Sequence, residues 1–370
     1  VHLIGLTEEE PGWAKVADSQ MPWSHVQISR LPRPIRFLLS LGKPVPAVCH
    51  QFVSEQIVNH VLEDIQHIIA HTDRAVIILE DLPIAISVLP AIRSRFPGIR
   101  IAIRSENVLS KIFEPLTSQG SLPSMIAWRI EVSKMRQSEV SICRSADRVW
   151  AISASDQQEY LTRLGVICSG VFGVSLDHSR FAEVPSGNSQ TVVYVGGVDL
   201  RKRLGLVDFI ERVWPVVRLE VPEAQFILAG NGTELLNDPP NGIHGLGYVA
   251  DDRDVWAKGQ IAINPQELGS GIKLKSIIAM LSAKALVSTA VGTEGIEGKS
   301  GVHFLTASDT RSMAPLCVRL MKNPSQAALM GSEARKLAQE MYSQHRLTAS
   351  VGPLLDDLTN GSYAGVRPAQ

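Results

Sequence analysis

Short β-branched and aliphatic runs alternate with amphipathic stretches of helical length along the whole chain, a pattern that parallel sheets with crossover helices satisfy. In the first half, strands are expected at 2–6, 75–79, 99–104 and 148–152. Between the first two, Ser54 is placed to cap a helix whose Ile57, Val61, Ile65 and Ile68 share one face. A second Rossmann-like unit follows, with strands expected at 191–195, 225–229, 261–264, 285–288 and 303–305. The stretch 177–190, rich in Ser, Pro, Gly and Asn, reads as a linker between the halves, and ligand is expected in the cleft. No fixed short repeat or low-complexity tract is present, and the tail 360–370 reads as frayed.

With 370 residues, 45% of them hydrophobic, the chain is long enough for two domains of ordinary size. Its 36 basic and 37 acidic side chains nearly cancel, which argues against nucleic acid as the main partner. Cys49, Cys143, Cys168 and Cys317 lie far apart without a CxxC pair. Neither a zinc site nor a disulfide framework is therefore expected, and a reducing, cytoplasmic location is. The richest apolar window, 75–92, is interrupted by Glu80, Asp81 and two prolines, so no membrane span is expected. The chain opens on a strand-like run at Val1 with neither an initiator methionine nor a leader, and native sequence, including a first strand, is expected to precede it.

The segment that speaks most directly of chemistry is Gly269-Ser-Gly-Ile-Lys-Leu-Lys275, set between the apolar run 261–265 and a helix-periodic stretch beginning at Ser276. A glycine turn that feeds a helix start leaves backbone N–H groups converging on one point, and Lys273 and Lys275 add positive charge where an anion would sit. Its position at the carboxyl end of a buried strand is where open α/β sheets bind ligands. Three other patterns carry less. His60, Asp64, His67 and His71 share a helix face away from the apolar stripe and read as a solvated surface, so no metal is expected there. Gly298-Lys-Ser300 lacks the glycine that a phosphate loop needs, since Thr293 stands five residues before it. No Gly-x-Ser-x-Gly nucleophile turn occurs, and no G-x-G-x-x-G follows a first strand, which disfavours a dinucleotide-dependent oxidoreductase or epimerase.

Six segments in order carry a resemblance: Val195-Gly-Gly-Val-Asp-Leu-Arg-Lys202, Trp214 to Gly232 through Pro222-Glu-Ala-Gln-Phe226, Leu246-Gly-Tyr-Val249, the 269–275 turn, Leu286 to Gly295, and Met330-Gly-Ser-Glu-Ala-Arg335 with Tyr342-Ser343. The second half resembles the donor-binding domain of GT-B glycosyltransferases, specifically the retaining enzymes of family 4 that build bacterial exopolysaccharides. Arg104-Ser-Glu-Asn107, Trp128, Glu131 and Ala146 to Ser153 with Asp156 extend the match to the first half. The resemblance implies a GT-B fold, with two Rossmann-like parallel-sheet domains facing a central cleft. It places an acceptor-side domain at 1–180, a donor-binding domain at 190–340 and a helix at 341–358 returning to the first domain. The donor would be a nucleoside-diphosphate sugar, UDP- or GDP-linked, with no tightly bound cofactor and no metal. The acceptor would be a hydroxyl of a glycan or lipid-linked molecule, transfer would retain configuration, and peripheral contact at the inner membrane face stays open, as does the oligomeric state.

By the same resemblance, Arg201, Lys202, Lys273 and Lys275 would stabilise the departing diphosphate. Gly197 belongs to the first basic loop, and Gly269, Ser270, Gly271 and Ile272 would supply backbone donors. Gly230, Gly232, Tyr248 and Val249 stand where the family holds base and ribose, and Thr293, Glu294 and Gly295 where it approaches the diphosphate. Glu106 would orient an acceptor hydroxyl or stabilise positive character at the anomeric carbon. Arg104 would hold an anionic acceptor, or else pair structurally with Glu106. Two departures stand out. Gly197 replaces a common arginine, and Ile278 replaces the glutamate that accepts from the ribose hydroxyls. The lost bond is expected to cost about 1.5–3 kcal/mol of donor binding, which gives weight to an alternative, a non-catalytic GT-B-like binding or assembly protein.

Overall fold

The computed structural model describes residues 3–7, 23–27, 33–40, 42–72, 75–198 and 200–360, with the side chains of 3–7, 23–27, 33–34, 38, 51 and 200–203 outside that description. The chain forms two compact units. The first gathers described residues up to 152, with 156–172 and 352–360; the second gathers 153–155 and 173–351. The 177–190 stretch therefore packs within the second unit.

In unit 1, β1 (Leu3–Thr7) and β2 (Trp23–Gln27) pair in parallel as a separate ribbon. The expected first strand thus forms one residue later than read and does not join the main sheet. That sheet is parallel, in the order β3 (Val76–Glu80), β4 (Arg100–Ser105), β5 (Arg148–Ala151), β6 (Gly170–Val171). The unit's helices are α1 (Arg33–Ser40), α2 (Glu55–Ile69), α3 (Leu82–Arg95), α4 (Leu109–Phe113) and α5 (Leu122–Ser145), followed by α6 (Ala154–Leu164). Ser54 occupies the N-cap position of α2 with extended backbone, but its side chain makes no capping bond. Ile57, Val61 and Ile65 are buried, as their spacing predicts.

In unit 2 a six-stranded parallel sheet runs β12 (Phe304–Ala307), β11 (Ala285–Thr289), β10 (Gly259–Asn264), β7 (Asn188–Val195), β8 (Gln225–Ala229), β9 (Ile243–Gly245). Its helices are α7 (Leu200–Asp208), α8 (Trp214–Glu220), α9 (Arg253–Trp256), α10 (Leu274–Leu281), α11 (Ala314–Lys322) and α12 (Pro324–Met341). Both faces of the sheet are covered, so β10 and β11 are buried along their whole length, with apolar centres at Ile261–Ile263 and Ala285–Val287 and buried polar residues at their carboxyl ends. A π-turn at Phe209–Val213 joins α7 to α8 ahead of Pro215, whose ring and missing N–H break the regular ladder. The strand order reverses between β7 and β10, and ligands of open α/β sheets bind at the carboxyl ends of strands at such a point. Finally, α13 (Gln344–Asn360) contributes its last turns to unit 1, where Leu358 packs with Trp150 and Asp357 pairs with Arg148 at 3.0 Å.

Unit 2 also buries a lysine that has no carboxylate partner among the described residues. Lys284 Nζ donates to the carbonyls of Pro185 and Ser186 at 2.5 and 3.0 Å, while Arg335 donates to those of Leu281 and Phe181. Burial, helped by the charge of Arg335, lowers the Lys284 pKa from 10.5 to about 7. Between those two values the unfolded chain holds a proton that the folded chain releases, so stability rises with pH across the window and is lost as pH falls toward 7. Urea denaturation of Lys284→Met is expected to show that rise flattened. An unchanged slope would mean that the amine keeps its ordinary affinity for the proton.

Candidate functional site

The turn at 265–273 leaves β10 and enters α10, and short polar side chains at the strand ends hold its shape. Asn264 Nδ2 donates to Ser276 Oγ at 2.9 Å and to the Gly292 carbonyl at 3.1 Å, which Ser276 Oγ also reaches at 2.6 Å. Ser288 Oγ donates to the Asn264 carbonyl at 3.1 Å, and Thr289 Oγ1 to that of Gln266 at 2.5 Å. Glu267 faces the other way and accepts from Thr310 N and Oγ1 at 2.7 and 2.5 Å. Buried polar groups demand such partners, and here meeting the demand fixes a loop. A Cβ on Gly292 would stand 2.2 Å from Ser288 Oγ and 2.8 Å from the Asn264 carbonyl oxygen, so the approach admits only glycine. These strand-end residues escape a reading by motif because each is an ordinary loop residue type.

Within this frame Gly271 takes a left-handed φ of 72°, and Lys273 lies buried beneath the turn. Its Nζ donates to the carbonyls of Ser270 at 3.0 Å and Gly271 at 2.6 Å and lies 3.8 Å from the Glu294 carboxylate. The lysine thus ties the turn to the 291–295 segment. Thr293 is buried there, and a Cβ on Gly295, whose φ is 76°, would come within 3.1 Å of Ile272 Cγ1. Among the described residues no side chain caps the first turn of α10, and Ser276 N donates to the Lys273 carbonyl at 2.9 Å.

Lys275 reaches back toward β7. Its Nζ lies 3.4 Å from Tyr194 Oη and 4.9 Å from the centre of that ring, two residues ahead of the Gly196-Gly197 loop. That loop is knitted to its neighbours: Gly196 N donates to the Ala229 carbonyl at 2.8 Å, Val198 N to Asn231 at 2.9 Å, and Gly230 N to Gly247 at 2.7 Å. A Cβ on Gly230 would stand 2.5 Å from the Gly196 carbonyl, which explains the glycines at this crossing. Gly232 has a φ of 89° and donates its amide to Glu234 at 3.0 Å. Tyr248 is 76% exposed on the loop after β9, whereas Val249 packs into the same apolar cluster as Ile272 and Ile278. Apolar packing, with no carboxylate, occupies the place of Ile278. The side chains of Arg201 and Lys202, at the start of α7, lie outside the described residues.

In unit 1, Arg104 is buried at the end of β4. Its Nε donates to the Phe172 carbonyl at 3.1 Å, its Nη1 lies 3.2 Å from Glu80 and 3.5 Å from Glu106, and the guanidinium stacks 5.0 Å over the Phe172 ring. Arg104 thus pairs with Glu106, as one of its two expected roles has it, and also with Glu80. Glu80 and Glu106 keep about half of their side chains exposed, at 57% and 46%. Trp128 and Glu131 belong to the packing of unit 1. Trp128 stacks on Phe113 at 5.4 Å, and buried Glu131 accepts from Ala47 N at 2.6 Å and Lys134 Nζ at 2.9 Å. Among the described residues no group of three or more His, Cys, Asp or Glu can hold a metal ion, and His60 pairs with Asp64 at 3.5 Å.

Comparison with known proteins adds a fold, and a family match to part of the chain. Residues 189–323 match the family described as "Glycosyl transferases group 1". A relative described as an uncharacterized 44.6 kDa protein in the cps region of Klebsiella pneumoniae is 27% identical over 172 residues, 43% of this chain and 44% of the relative, so the match spans less than half of either. Among solved structures, Anabaena HepE in complex with UDP-glucose aligns with a TM-score of 0.66 at 14% identity, covering 96% of this chain and 99% of that one. Sucrose-phosphate synthase from Thermosynechococcus elongatus gives 0.68 at 14%, covering 98% and 100%. TarM gives 0.63 at 15%, covering 82% of this chain and 58% of its own. At such identities these likenesses establish the fold, which is GT-B.

Proposed function

We propose, for a chain of GT-B fold whose residues 189–323 match glycosyl transferases group 1, that it moves a sugar from a nucleoside-diphosphate donor to a hydroxyl of a glycan or lipid-linked acceptor with retention of configuration. The observation that carries the reading is the Gly269–Lys273 turn at an uncapped helix start, beside the strand reversal of unit 2, with a buried lysine holding its carbonyls. Amides of that turn and the cations of Lys273 and Lys275 would take up the charge that develops on the departing diphosphate. Gly197, Gly230 and Gly232 would admit the nucleoside, with Tyr248 and Val249 near its base, and Thr293, Glu294 and Gly295 would flank the phosphates. On the acceptor side, Glu106 would orient the attacking hydroxyl, and Arg104 would position that carboxylate. The acceptor's proton would pass to the departing diphosphate, so no second carboxylate at glycosidase spacing is required. The Anabaena complex with UDP-glucose supports a UDP-sugar as the first donor to try, and the cps-region relative supports a role in polysaccharide assembly.

Release of nucleoside diphosphate from UDP- and GDP-sugars, followed on adding candidate glycan acceptors, tests the reading, and the anomeric signals of the product report retention. Turnover with one donor, lost in Glu106→Gln, is the expected result. A second reading rests on Ile278: with an aliphatic side chain where the family places a ribose acceptor, the chain would keep the fold as a non-catalytic binding or assembly protein. Nucleotide binding without any turnover would favour that one.

A further inference from the structure

The contact between Lys275 and Tyr194 joins two layers of unit 2 that the sheet otherwise keeps apart. Alternate residues of a strand face opposite sides. On β7, Val192 and Tyr194 enter the core shared with Leu206 of α7 and Trp214 of α8, whereas Val193 enters the core shared with Ile277 and Met280 of α10. Helix α10 thus lies on the face that Tyr194 does not enter, and Lys275 meets Tyr194 across the carboxyl edge of the sheet. Tyr194 stands one residue before the end of β7, and β7 pairs with β10, the strand that precedes α10. The ammonium is therefore held over the crevice at which the strand order reverses.

Tyr194 is 1% exposed, and its ring packs among aliphatic and aromatic side chains, a place that phenylalanine would fill as well. The hydroxyl is what distinguishes it, and a buried phenol requires a polar partner. Lys275 Nζ donates to Oη at 3.4 Å while lying 4.9 Å from the ring centre. The same hydroxyl lies against the first glycine loop, since a Cβ on Gly196 would come within 3.1 Å of it. Lys275 stands in the first turn of α10, close to Lys273, where the helix end is itself positive, and a cation fixed there is favoured by an anion at the same point.

We propose that Tyr194 is a positioning residue of the donor site: its hydroxyl and ring hold the Lys275 ammonium over the crevice between β7 and β10, where it meets the diphosphate of a bound nucleotide. The inference rests on the donor-site reading above and adds to it the residue that aims this cation. A lysine stem left to itself spreads its charge over many rotamers. Held by Tyr194, the ammonium is in place before the nucleotide arrives, and less ordering remains to be done on binding.

The test is a double-mutant cycle read by titration calorimetry, with whichever of UDP, GDP, ADP and dTDP binds the full chain. Tyr194→Phe keeps the ring and is expected to weaken the nucleotide about five- to tenfold. Lys275→Met is expected to weaken it by about tenfold or more, and in that background Tyr194→Phe should have no further effect, which marks a residue that acts through the ammonium. Equal losses from Tyr194→Phe in both backgrounds would make it a residue of the core alone and overturn the inference, as would no loss in either. Unchanged affinity in Lys275→Met would overturn it without recourse to Tyr194, so the test stands even if Tyr194→Phe disturbs folding. A parent chain that binds none of the four nucleotides sinks the donor-site reading itself, an outcome distinct from a parent that binds and variants that bind as well.

Discussion

Lys273→Ala is expected to weaken the binding of a nucleoside diphosphate by roughly ten- to a hundredfold, the worth of one charge-assisted contact of about 1.5–3 kcal/mol. Two effects act together. The substitution removes a cation from the turn, and it releases the carbonyls of Ser270 and Gly271, which Nζ holds at 3.0 and 2.6 Å. It also deprives Glu294, whose side chain is only 14% exposed, of the positive charge 3.8 Å away. Titration calorimetry on both proteins separates the outcomes. A fall in midpoint temperature with unchanged nucleotide affinity would confine Lys273 to holding the loop.

The second large effect is one of stability. Glu139 is buried on α5 and accepts the amides of Leu109 and Ser110 at 2.5 and 3.1 Å, so one carboxylate supplies both partners at the start of α4. Glu139→Ala strands two buried donors at about 1–3 kcal/mol each, and unfolding in urea should show a loss of about 3 kcal/mol or more. Burial outweighs these hydrogen bonds and raises the Glu139 pKa above its usual 4.5. A raised carboxyl favours the folded state most below that usual value and loses the advantage as pH climbs through the folded one. Glu139→Gln, which keeps one acceptor, should therefore lose less than the alanine variant and flatten the pH dependence just above 4.5. If Glu139→Ala is as stable as the parent, water supplies the two amides and the site is less closed than the structure has it.

Most of the sheet architecture was legible because buried parallel strands are short apolar runs bounded by turn residues. β3, β4, β5, β8 and β11 lie within one residue of the positions expected from the sequence. β7 and β10 begin two or three residues earlier than their apolar stretches, at Asn188 and Gly259. β6 and β9 escaped notice, being edge strands of two and three residues, too short for any periodicity. At the candidate site, glycines mark where backbones approach, so 196–197, 230, 271, 292 and 295 could be found by eye. The side-chain network of Asn264, Ser276, Ser288 and Thr289 could not, since its members are joined by the folding of strands and not by spacing. Arg104 shows the same limit: its partner Phe172 lies 68 residues away, a contact that no spacing in the sequence announces.

The central claim is that the turn before α10 holds a nucleoside diphosphate. It is tested most directly by the thermal midpoint of the chain in UDP, GDP, ADP and dTDP, each alone and as a common sugar conjugate. A ligand at a hundred times its dissociation constant adds about 2.7 kcal/mol to the folded state, enough to raise the midpoint by a few degrees. The account predicts that one nucleotide does so and the others do not. No shift with any of them at millimolar concentration would contradict it and leave a GT-B fold whose glycine turn serves only to pack α10 against the sheet.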